Sequence, residues 1–264
     1  MDQRLNTNGI NDIQKRHLQR QLNRKRAMKR RRIIFYTVLI IIVLSVLLFF
    51  TPIFNIKKID ITGNVRIETP QIKQAIGSVE EDNLFLLNTK RIAANIETLP
   101  YVNSVKIEKK IFPVGLNVEI VECEPIGYIS YGEKFVILDK NLKVLEISDS
   151  AFENLFVITG ISVTSAEEGA VIASDDQEKL NEIIQCVITV SEQEIAQSIG
   201  SMDFTDMSNI TFNYENRLDV ICGSSLDFPK KISMFKKALS SPKLTDNSRG
   251  TIDLSVSGKA IYTP

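Results

Sequence analysis

The sequence holds few of the side chains that nucleophilic or metal-dependent catalysis requires. His17 is the one histidine among 264 residues, and it lies in a basic segment near the N-terminus. Cys123, Cys186 and Cys222 have no CxxC spacing, so they do not predict a metal site. Serine and cysteine nucleophiles usually need a histidine base, and the sequence after His17 contains none. We therefore predict no catalytic residue, no metal ligand and no cofactor, although a Ser–Lys pair without a recognisable motif stays open.

Three groups of neighbouring carboxylates come closest to an acid–base pair: Glu167–Glu168, Asp175–Asp176, and Asp203 with Asp206. The first pair lies in a predicted loop. The second lies at the start of a predicted helix, where negative charge is favourable because of the helix dipole. Cys186 and Cys222 occupy apolar positions of a predicted helix and strand, which is typical of small core residues. The residue types therefore favour a binding protein over an enzyme.

Charge is segregated along the chain. Residues 1–32 contain 11 Lys and Arg against two Asp, a net charge of +9, whereas the rest of the chain carries −9. An uncharged run of 18 residues, Ile33–Phe50, follows directly. As a helix rising about 1.5 Å per residue it is about 27 Å long, close to the hydrocarbon core of a bilayer, about 30 Å. We predict a transmembrane helix over residues 33–51, preceded by a basic cytoplasmic arm over residues 1–32.

The basic residues directly before the apolar run predict its orientation. By the positive-inside rule they place the N-terminus in the cytoplasm and about 210 residues outside. They also predict attraction to anionic lipid, and we expect no nucleic-acid partner. A cleaved signal peptide, a buried core helix and a nucleic-acid-binding arm are the alternatives, and each explains the long arm and long run less economically. The predicted membrane-orienting residues are Arg24, Lys25, Arg26, Lys29, Arg30, Arg31 and Arg32.

The next 70 or so residues predict the order strand, helix, helix, strand, strand. Ile59 and Ile61 alternate with polar residues, which indicates the first strand. Thr69 is predicted to cap the first helix and Asn88 the second. Two further alternating strands are predicted on either side of a turn at residues 112–115. This order is that of a small α+β domain.

The same segment resembles the POTRA module of the FtsQ/DivIB family of bacterial cell division proteins. The residues that carry the resemblance are Phe54-x-Ile56-x-x-Ile59 leading to Thr62-Gly63-Asn64, Leu99-Pro100-Tyr101-Val102, and Val121-Glu122-x-Glu124-Pro125. They occur in the family's order, immediately after a basic arm and one membrane helix. The resemblance implies a POTRA domain over residues 52–125.

Residues 126–264 resemble, less closely, the β domain that follows POTRA in that family. Ser174 with Gln177 predicts a capping box at the start of a long amphipathic helix. Pro229–Ser240 predicts a second helix, and Gly250–Val256 is the predicted last strand. The predicted fold class is therefore α+β, with a single N-terminal transmembrane helix, a POTRA domain (βααββ) and a second mixed α/β domain.

A sheet edge supplies the predicted binding mechanism, because a partner's extended segment can complete its unpaired N–H and C=O groups. We expect the last strand to lie at an edge, since a chain-terminal strand often does, with two lysines of the preceding helix as a basic rim. The strand Val105–Lys109 is a second candidate by family resemblance. The alternative is that Ile252 and Leu254 simply complete the core. The predicted partner-binding residues are Lys236, Lys237, Gly250, Thr251, Ile252, Asp253, Leu254, Ser255 and Val256.

The resemblance implies a non-enzymatic, single-pass (type II) scaffold in the cell membrane at the division septum. Its partners would be bitopic coiled-coil division proteins of the FtsL and DivIC/FtsB type and, through them, the septal peptidoglycan synthase complex. A membrane-anchored envelope enzyme such as a cell-wall hydrolase is the rival hypothesis. A POTRA translocation component of outer-membrane barrel assembly is a second rival, which the lack of a barrel disfavours.

Overall fold

A computed structural model describes residues 28–48, 51–150, 152, 154–242, 244–256 and 258–264. The chain divides into two compact units. The N-terminal unit comprises residues 1–58, 80–87 and 111–115, and the main unit comprises residues 59–79, 88–110 and 116–264. His17 and the predicted membrane-orienting residues Arg24, Lys25 and Arg26 lie outside the described residues.

The N-terminal unit contains the apolar helix. Helix α1 spans Met28–Leu48, and its 21 residues correspond to about 31 Å at the usual rise per residue. Its mean hydropathy reaches 2.3, and its apolar side chains are exposed. Its first turns contain the basic residues Lys29–Arg32, so the helix begins within the basic segment. Among the described residues it is the one helix long and apolar enough to cross a membrane.

The same unit joins the chain after α1 to two short segments further along the sequence. A 3₁₀ turn at Pro52–Phe54 follows the helix. Leu84 N donates a hydrogen bond to the carbonyl oxygen of Phe54 at 2.9 Å, and Lys57 N donates to that of Val114 at 3.3 Å. The main chain therefore holds these three segments together.

The predicted strand–helix–helix–strand–strand order is present. Its elements are β1 Lys58–Thr62, α2 Thr69–Ile76, α3 Thr89–Glu97, β2 Val102–Ile111 and β3 Val114–Glu122. The strands form a sheet in the order β1-β3-β2, so β1 and β2 are its edges. Helices α2 and α3 pack against each other, and each buries two isoleucines. The inward residues predicted for β3, Leu116, Val118 and Ile120, are buried.

The rest of the chain forms a nine-stranded mixed sheet with two helices and a small two-stranded sheet. Its elements are β4 Gly127–Tyr131, β5 Lys134–Leu138, β6 Val144–Ser148, β7 Phe156–Thr159, β8 Val163–Ser165, β9 Ala173–Ser174, α4 Gln177–Glu192, β10 Ile199–Asp203, β11 Ile210–Tyr214, β12 Leu218–Gly223, α5 Phe228–Leu239, β13 Gly250–Asp253 and β14 Ile261–Thr263. The strand order of the large sheet is β14-β13-β12-β11-β10-β7-β4-β5-β6, and β8 pairs with β9. The predicted α+β class is confirmed.

The core of this part lies between the large sheet and the apolar faces of α4 and α5. Helix α4 buries Ile183 and Val187, as its periodicity predicts. Helix α5 contributes Phe235, whose ring stands edge-on to Phe212 and Tyr214 at 5.2 and 5.1 Å between centroids. These contacts join α5 to the middle of the sheet.

Two of the three predicted helix caps were wrong. Asn88 caps α3 as predicted, since its side chain accepts a hydrogen bond from Arg91 N at 3.2 Å. Thr69 is instead the first residue of α2, and Glu68 precedes it as the N-cap. Asp176, not Ser174, caps α4 and accepts from Lys179 N at 2.9 Å. Ser174 instead pairs in β9, and its carbonyl oxygen accepts a hydrogen bond from the side chain of Gln177, the first residue of α4, at 2.7 Å.

The predicted last strand was also wrong in its bounds and its place. It ends at Asp253, and β14 pairs antiparallel with it, so β13 lies between β12 and β14. Ser255 and Val256 lie beyond the end of β13. The three residues of β14 are too few to give an alternating pattern, which is why the sequence did not indicate this strand.

Candidate partner-binding surface

The two edges of the nine-stranded sheet differ in how their main-chain groups are used. At the β6 edge, Val144 N donates to Ala170 O at 2.8 Å, and Gly169 N donates to Val144 O at 2.9 Å. Ile147 N donates to the carboxylate of Glu168 at 3.3 Å. The loop after β8 therefore covers the β6 edge and leaves it poorly suited to another strand.

At the opposite edge, the pairing of β13 shows which groups of β14 point outward. Gly250 N donates to Arg217 O at 3.2 Å, and Leu254 N donates to Ile221 O at 2.8 Å, so the even-numbered residues of β13 bond to β12 or to the chain beside it. Hydrogen-bonding direction alternates along a strand, so the odd-numbered residues, Thr251 and Asp253, face β14.

The strand β14 therefore presents the main chain of one central residue. Thr251 and Asp253 pair with Thr263 and Ile261, which turn their N–H and C=O groups toward β13. Tyr262 lies between these pairs, so its N–H and C=O point away from the sheet. Because β14 ends the strand order, no strand of the described chain covers them.

Exposed apolar side chains lie on β14 and in the chain that follows β12 and β13. Ile261 on β14 is 46% exposed, and Leu226, in the loop after β12, is 74% exposed. Val256, just beyond β13, is also exposed. A Cβ placed on Gly223 would lie 3.1 Å from Ser255 Cβ, so the end of β12 contacts the chain just after β13. Extended segments of a partner typically place alternate side chains on such apolar residues.

The side chain of Tyr262 fixes β14 to the chain before β13. Its hydroxyl donates a hydrogen bond to the carbonyl oxygen of Arg249 at 2.7 Å. The loop that contains Arg249 is held in turn by Arg217, whose guanidinium donates to Thr245 O and Ser248 O at 3.2 and 3.0 Å. Hydrogen bonds therefore connect β14 to the loop before β13, and that loop to Arg217.

The residues predicted to bind a partner take different positions. Ile252 and Leu254 are fully buried and complete the core, as the alternative interpretation holds. The carboxylate of Asp253 accepts from Ser255 N at 2.8 Å, and its hydrogen bonds from the Ser255 side chain and main chain lower its pKa below the ordinary value. Lys236 and Lys237 are exposed on α5, where the Lys236 ammonium donates to Gln193 O at 2.8 Å.

The second predicted edge, Val105–Lys109, lies within β2, which is an edge of the three-stranded sheet. Lys106 and Glu108 form an exposed ion pair there at 2.8 Å. Charged side chains on an edge strand discourage indiscriminate pairing with other strands. This edge is more polar than β14, and the Glu97 carboxylate accepts from the main-chain N–H of Val105 at 3.4 Å.

In each carboxylate pair considered for acid–base chemistry, at least one carboxylate accepts hydrogen bonds that stabilise a turn, a helix start or a strand edge. Asp203 accepts hydrogen bonds from the Thr205 hydroxyl at 2.6 Å and the Thr159 hydroxyl at 3.1 Å, and these bonds lower its pKa. Asp206 closes its own turn with Ser208. Asp176 caps α4, and Glu168 covers the β6 edge. Among the described residues, no group of three or more His, Cys, Asp or Glu is placed to hold a metal ion.

The three cysteines are free thiols in buried positions. Cys186 and Cys222 belong to the core under the large sheet, as predicted. Cys123 packs with Ile137 and Leu145 in a separate cluster. Burial raises the pKa of each thiol to about 12, so all three remain protonated and unreactive at neutral pH.

A junction that the sequence did not indicate lies between α3 and the β5–β6 hairpin. The Lys143 ammonium donates to the carbonyl oxygens of Glu97, Leu99 and Val102 at 2.9, 3.0 and 2.7 Å. Gly169 also packs against the end of α3, because a Cβ on Gly169 would be 1.9 Å from Thr98 O. The Lys143 contacts join residues about 45 positions apart in sequence, and the Gly169 contact joins residues about 70 apart. No local sequence pattern predicts contacts at such separations.

A second such contact closes the loop after β1. The carboxylate of Glu122, at the end of β3, accepts from the main-chain N–H groups of Val65, Arg66 and Ile67 at 2.7 to 3.1 Å. Glu122 belongs to a motif quoted above for the family resemblance, so the motif has a structural role in this chain.

The sequence of this chain is similar to those of known cell division proteins. Residues 54–122 match the family model described as the POTRA domain, FtsQ-type. The chain is 28% identical over 221 residues to the cell division protein DivIB of Clostridium acetobutylicum, covering 83% of this chain and 87% of that protein. It is 26% identical over 184 residues to the cell division protein FtsQ of Corynebacterium glutamicum, covering 69% and 77%. This chain is a homologue of the DivIB and FtsQ cell division proteins.

The chain has an FtsQ-type POTRA domain, and its similarity to DivIB and FtsQ supports a role in cell division. Together with helix α1, the similarity to these division proteins indicates a membrane-anchored, single-pass protein. A solved structure of the major extracytoplasmic domain of DivIB from Geobacillus stearothermophilus aligns with a TM-score of 0.31 at 13% identity, covering 46% of this chain and 95% of that one.

Proposed function

We propose that this DivIB/FtsQ homologue is a non-enzymatic bitopic division scaffold, and that β14 receives an extended segment of another division protein. The observation that carries the proposal is the outward main chain of Tyr262 at the uncovered end of the nine-stranded sheet. A partner strand would pair there and extend the sheet by one strand. The predicted binding residues of β13 then act behind β14, by supporting it.

Charge near this edge favours an acidic partner segment. Arg249 precedes β13 and Lys259 precedes β14, and both side chains are exposed. Lys236 and Lys237, the predicted basic rim, lie on α5, where the Lys236 ammonium bonds to Gln193 O at the end of α4. Opposite charges on a partner would speed its association and disfavour other partners. The exposed Ile261 and Leu226 would take its apolar side chains.

The remaining features of the scaffold are part of the same proposal. The basic side of α1 lies in the cytoplasm and contacts anionic lipid, and the POTRA domain (52–125) and β domain (126–264) lie outside at the septum. Bitopic coiled-coil proteins of the FtsL and DivIC/FtsB type are the proposed partners, and through them the septal peptidoglycan synthase complex. The carboxylates bonded within their own turns are consistent with a scaffold without a catalytic step.

The test is a proline at the outward position. Tyr262→Pro removes the outward N–H and fills the space beside the strand, whereas the bonds from Ile261 and Thr263 to β13 remain. Tyr262→Ala is the matched control, because it loses the same side chain and its bond to Arg249 but keeps the N–H. We expect the proline variant, and not the alanine variant, to lose co-purification of the bitopic coiled-coil division proteins.

The design separates edge pairing from loss of folding. Asp253→Pro would not do so, because Asp253 faces β14 inside the sheet and its loss would disrupt the ladder. Unfolding curves of the two Tyr262 variants should agree closely. Retention of the partners by a folded Tyr262→Pro variant would contradict the proposal.

A further inference from the structure

Outside α1, four large apolar residues of the described N-terminal unit are more than half exposed. They are Ile53, Leu86, Ile111 and Phe112, here called the apolar patch. Phe112 is 97% exposed at the turn between β2 and β3. Soluble domains rarely expose several large apolar side chains in one compact unit without a binding role.

The patch is assembled from three segments that the main chain holds together. Ile53 lies in the 3₁₀ turn after α1, and Leu86 is two residues beyond Leu84, which bonds to Phe54. The ring of Phe54 stands edge-on to that of Phe85 at 5.1 Å between centroids. The turn with Ile111 and Phe112 is tied to the same segment by the bond from Lys57 N to Val114 O.

Chain continuity places Ile53, the first residue of the patch, close to the end of α1. Thr51 bonds to the carbonyl oxygen of Leu48, the last residue of α1, through its main-chain N–H at 3.1 Å and its hydroxyl at 2.7 Å. Ile53 is five residues after Leu48, which is a reach of at most about 18 Å even for an extended chain. The headgroup layer flanks the hydrocarbon core within about this distance.

We propose that the apolar patch inserts into the boundary between headgroups and acyl chains of the leaflet at which α1 ends. Phenylalanine and leucine side chains are suited to this boundary, where their apolar groups leave water. The exposed ammonium of Lys57 in the same unit suits lipid phosphates. The patch would then be a second membrane contact, additional to α1.

The absence of tryptophan from the chain provides a direct test. Phe112→Trp and, separately, Leu86→Trp each introduce a single indole into the full-length protein. Each variant is reconstituted into vesicles of phosphatidylcholine and phosphatidylglycerol, with and without lipids brominated on the acyl chains. Bromine quenches indole only at close range, and both leaflets carry it, so the direction of insertion does not affect the result. Leu226→Trp is the control, since Leu226 is comparably exposed but lies in the main unit.

The expected result is an emission shifted to the blue and quenched at least twofold by brominated lipid for both patch variants, with little change for Leu226→Trp. Equal quenching of all three would mean that the protein adheres to lipid without a specific face, and no quenching would mean that the patch is in water. Either result would overturn the proposal. No division partner is present in the vesicles, so the outcome is independent of the proposed β14 function.

Discussion

The ammonium group of Lys143 lies 2.7 Å from the carbonyl oxygen of Val102, and it bonds the carbonyl oxygens of Glu97 and Leu99 as well. One side chain of the β5–β6 hairpin thereby satisfies three carbonyls at the end of α3 and the start of β2. The Glu97 carbonyl ends α3 and lies at the negative end of its dipole, so a cation is favourable there.

Lys143→Met should remove this bonding while keeping the apolar part of the side chain. We expect the free energy of unfolding to fall by about 1 to 3 kcal/mol, because partly buried carbonyls lose a charged donor. Urea denaturation of the detergent-solubilised protein measures the change. Lys140→Met, at an exposed position of the same hairpin, is the control and should be nearly neutral.

Gly169→Ala should be more damaging than glycine replacement elsewhere. Its φ of +85° already disfavours alanine, and the new Cβ would lie 1.9 Å from Thr98 O. Gly132→Ala is a matched control, since Gly132 also has a positive φ, +62°, but nothing within 4 Å of its Cβ position. We expect a loss of about 1 kcal/mol for the control and clearly more for Gly169→Ala in thermal unfolding. Equal losses would show that the Thr98 contact relaxes without cost.

Glu122→Gln should destabilise the POTRA loop in a pH-dependent manner. Burial raises the pKa of Glu122, but the three main-chain N–H groups outweigh burial and hold its pKa below the ordinary value. The ionised form therefore stabilises the fold above the unfolded pKa, about 4.3, and this contribution is lost as the pH falls through the folded pKa. We expect a loss of about 1 kcal/mol at pH 7 that diminishes on acidification.

The comparison for this prediction is Glu119→Gln on the same strand, whose side chain is exposed. Denaturation midpoints of the two variants and the parent at pH 7 and in acid distinguish them. A Glu122→Gln deficit that is the same in acid as at neutral pH would contradict the role assigned to the carboxylate.

Tyr101 should ionise only in strong alkali. Burial and then the hydrogen bond to Glu146, at 3.0 Å, raise its pKa to about 12. The neutral phenol therefore adds stability below the unfolded pKa, about 10, and this contribution is lost as the pH rises through 12. Tyrosinate absorbance after a rapid pH jump should contain a component near this pKa, undisturbed by tryptophan because the chain has none.

Two variants check that assignment. Tyr101→Phe should remove the component, and Glu146→Gln should shift it to lower pH because the carboxylate no longer opposes ionisation. A component that persists in Tyr101→Phe would belong to another of the six tyrosines.

Local patterns in the sequence predicted most of the elements. Alternation at Ile59 and Ile61 gave the position of β1, and Asn88 marked the start of α3. The start of α4 shows the limit of such signals, because Asp176 caps the helix and the predicted Ser174 does not. Both residue types favour caps, and the pairing of β9, which is not visible locally, decides between them.

The sequence predicted that the last strand lies at a sheet edge, but it did not indicate which strand that is. Inward residues such as Ile252 were recognised from alternation, but strand order depends on contacts between distant segments. The three residues of β14 displaced the predicted edge by one strand. Lys143 and Gly169 gave no signal at all, because their partners lie in another part of the sequence.

The covered β6 edge limits what the nine-stranded sheet can assemble into. A sheet with two receptive margins could join copies of itself head to tail, and such a contact repeats without closing. Here Gly169, Ala170 and Glu168 bond the main chain of β6, so this margin disfavours strand pairing with another copy. Among the described residues, only the β14 margin of this sheet is left for an added strand, so pairing at this sheet would end after one partner.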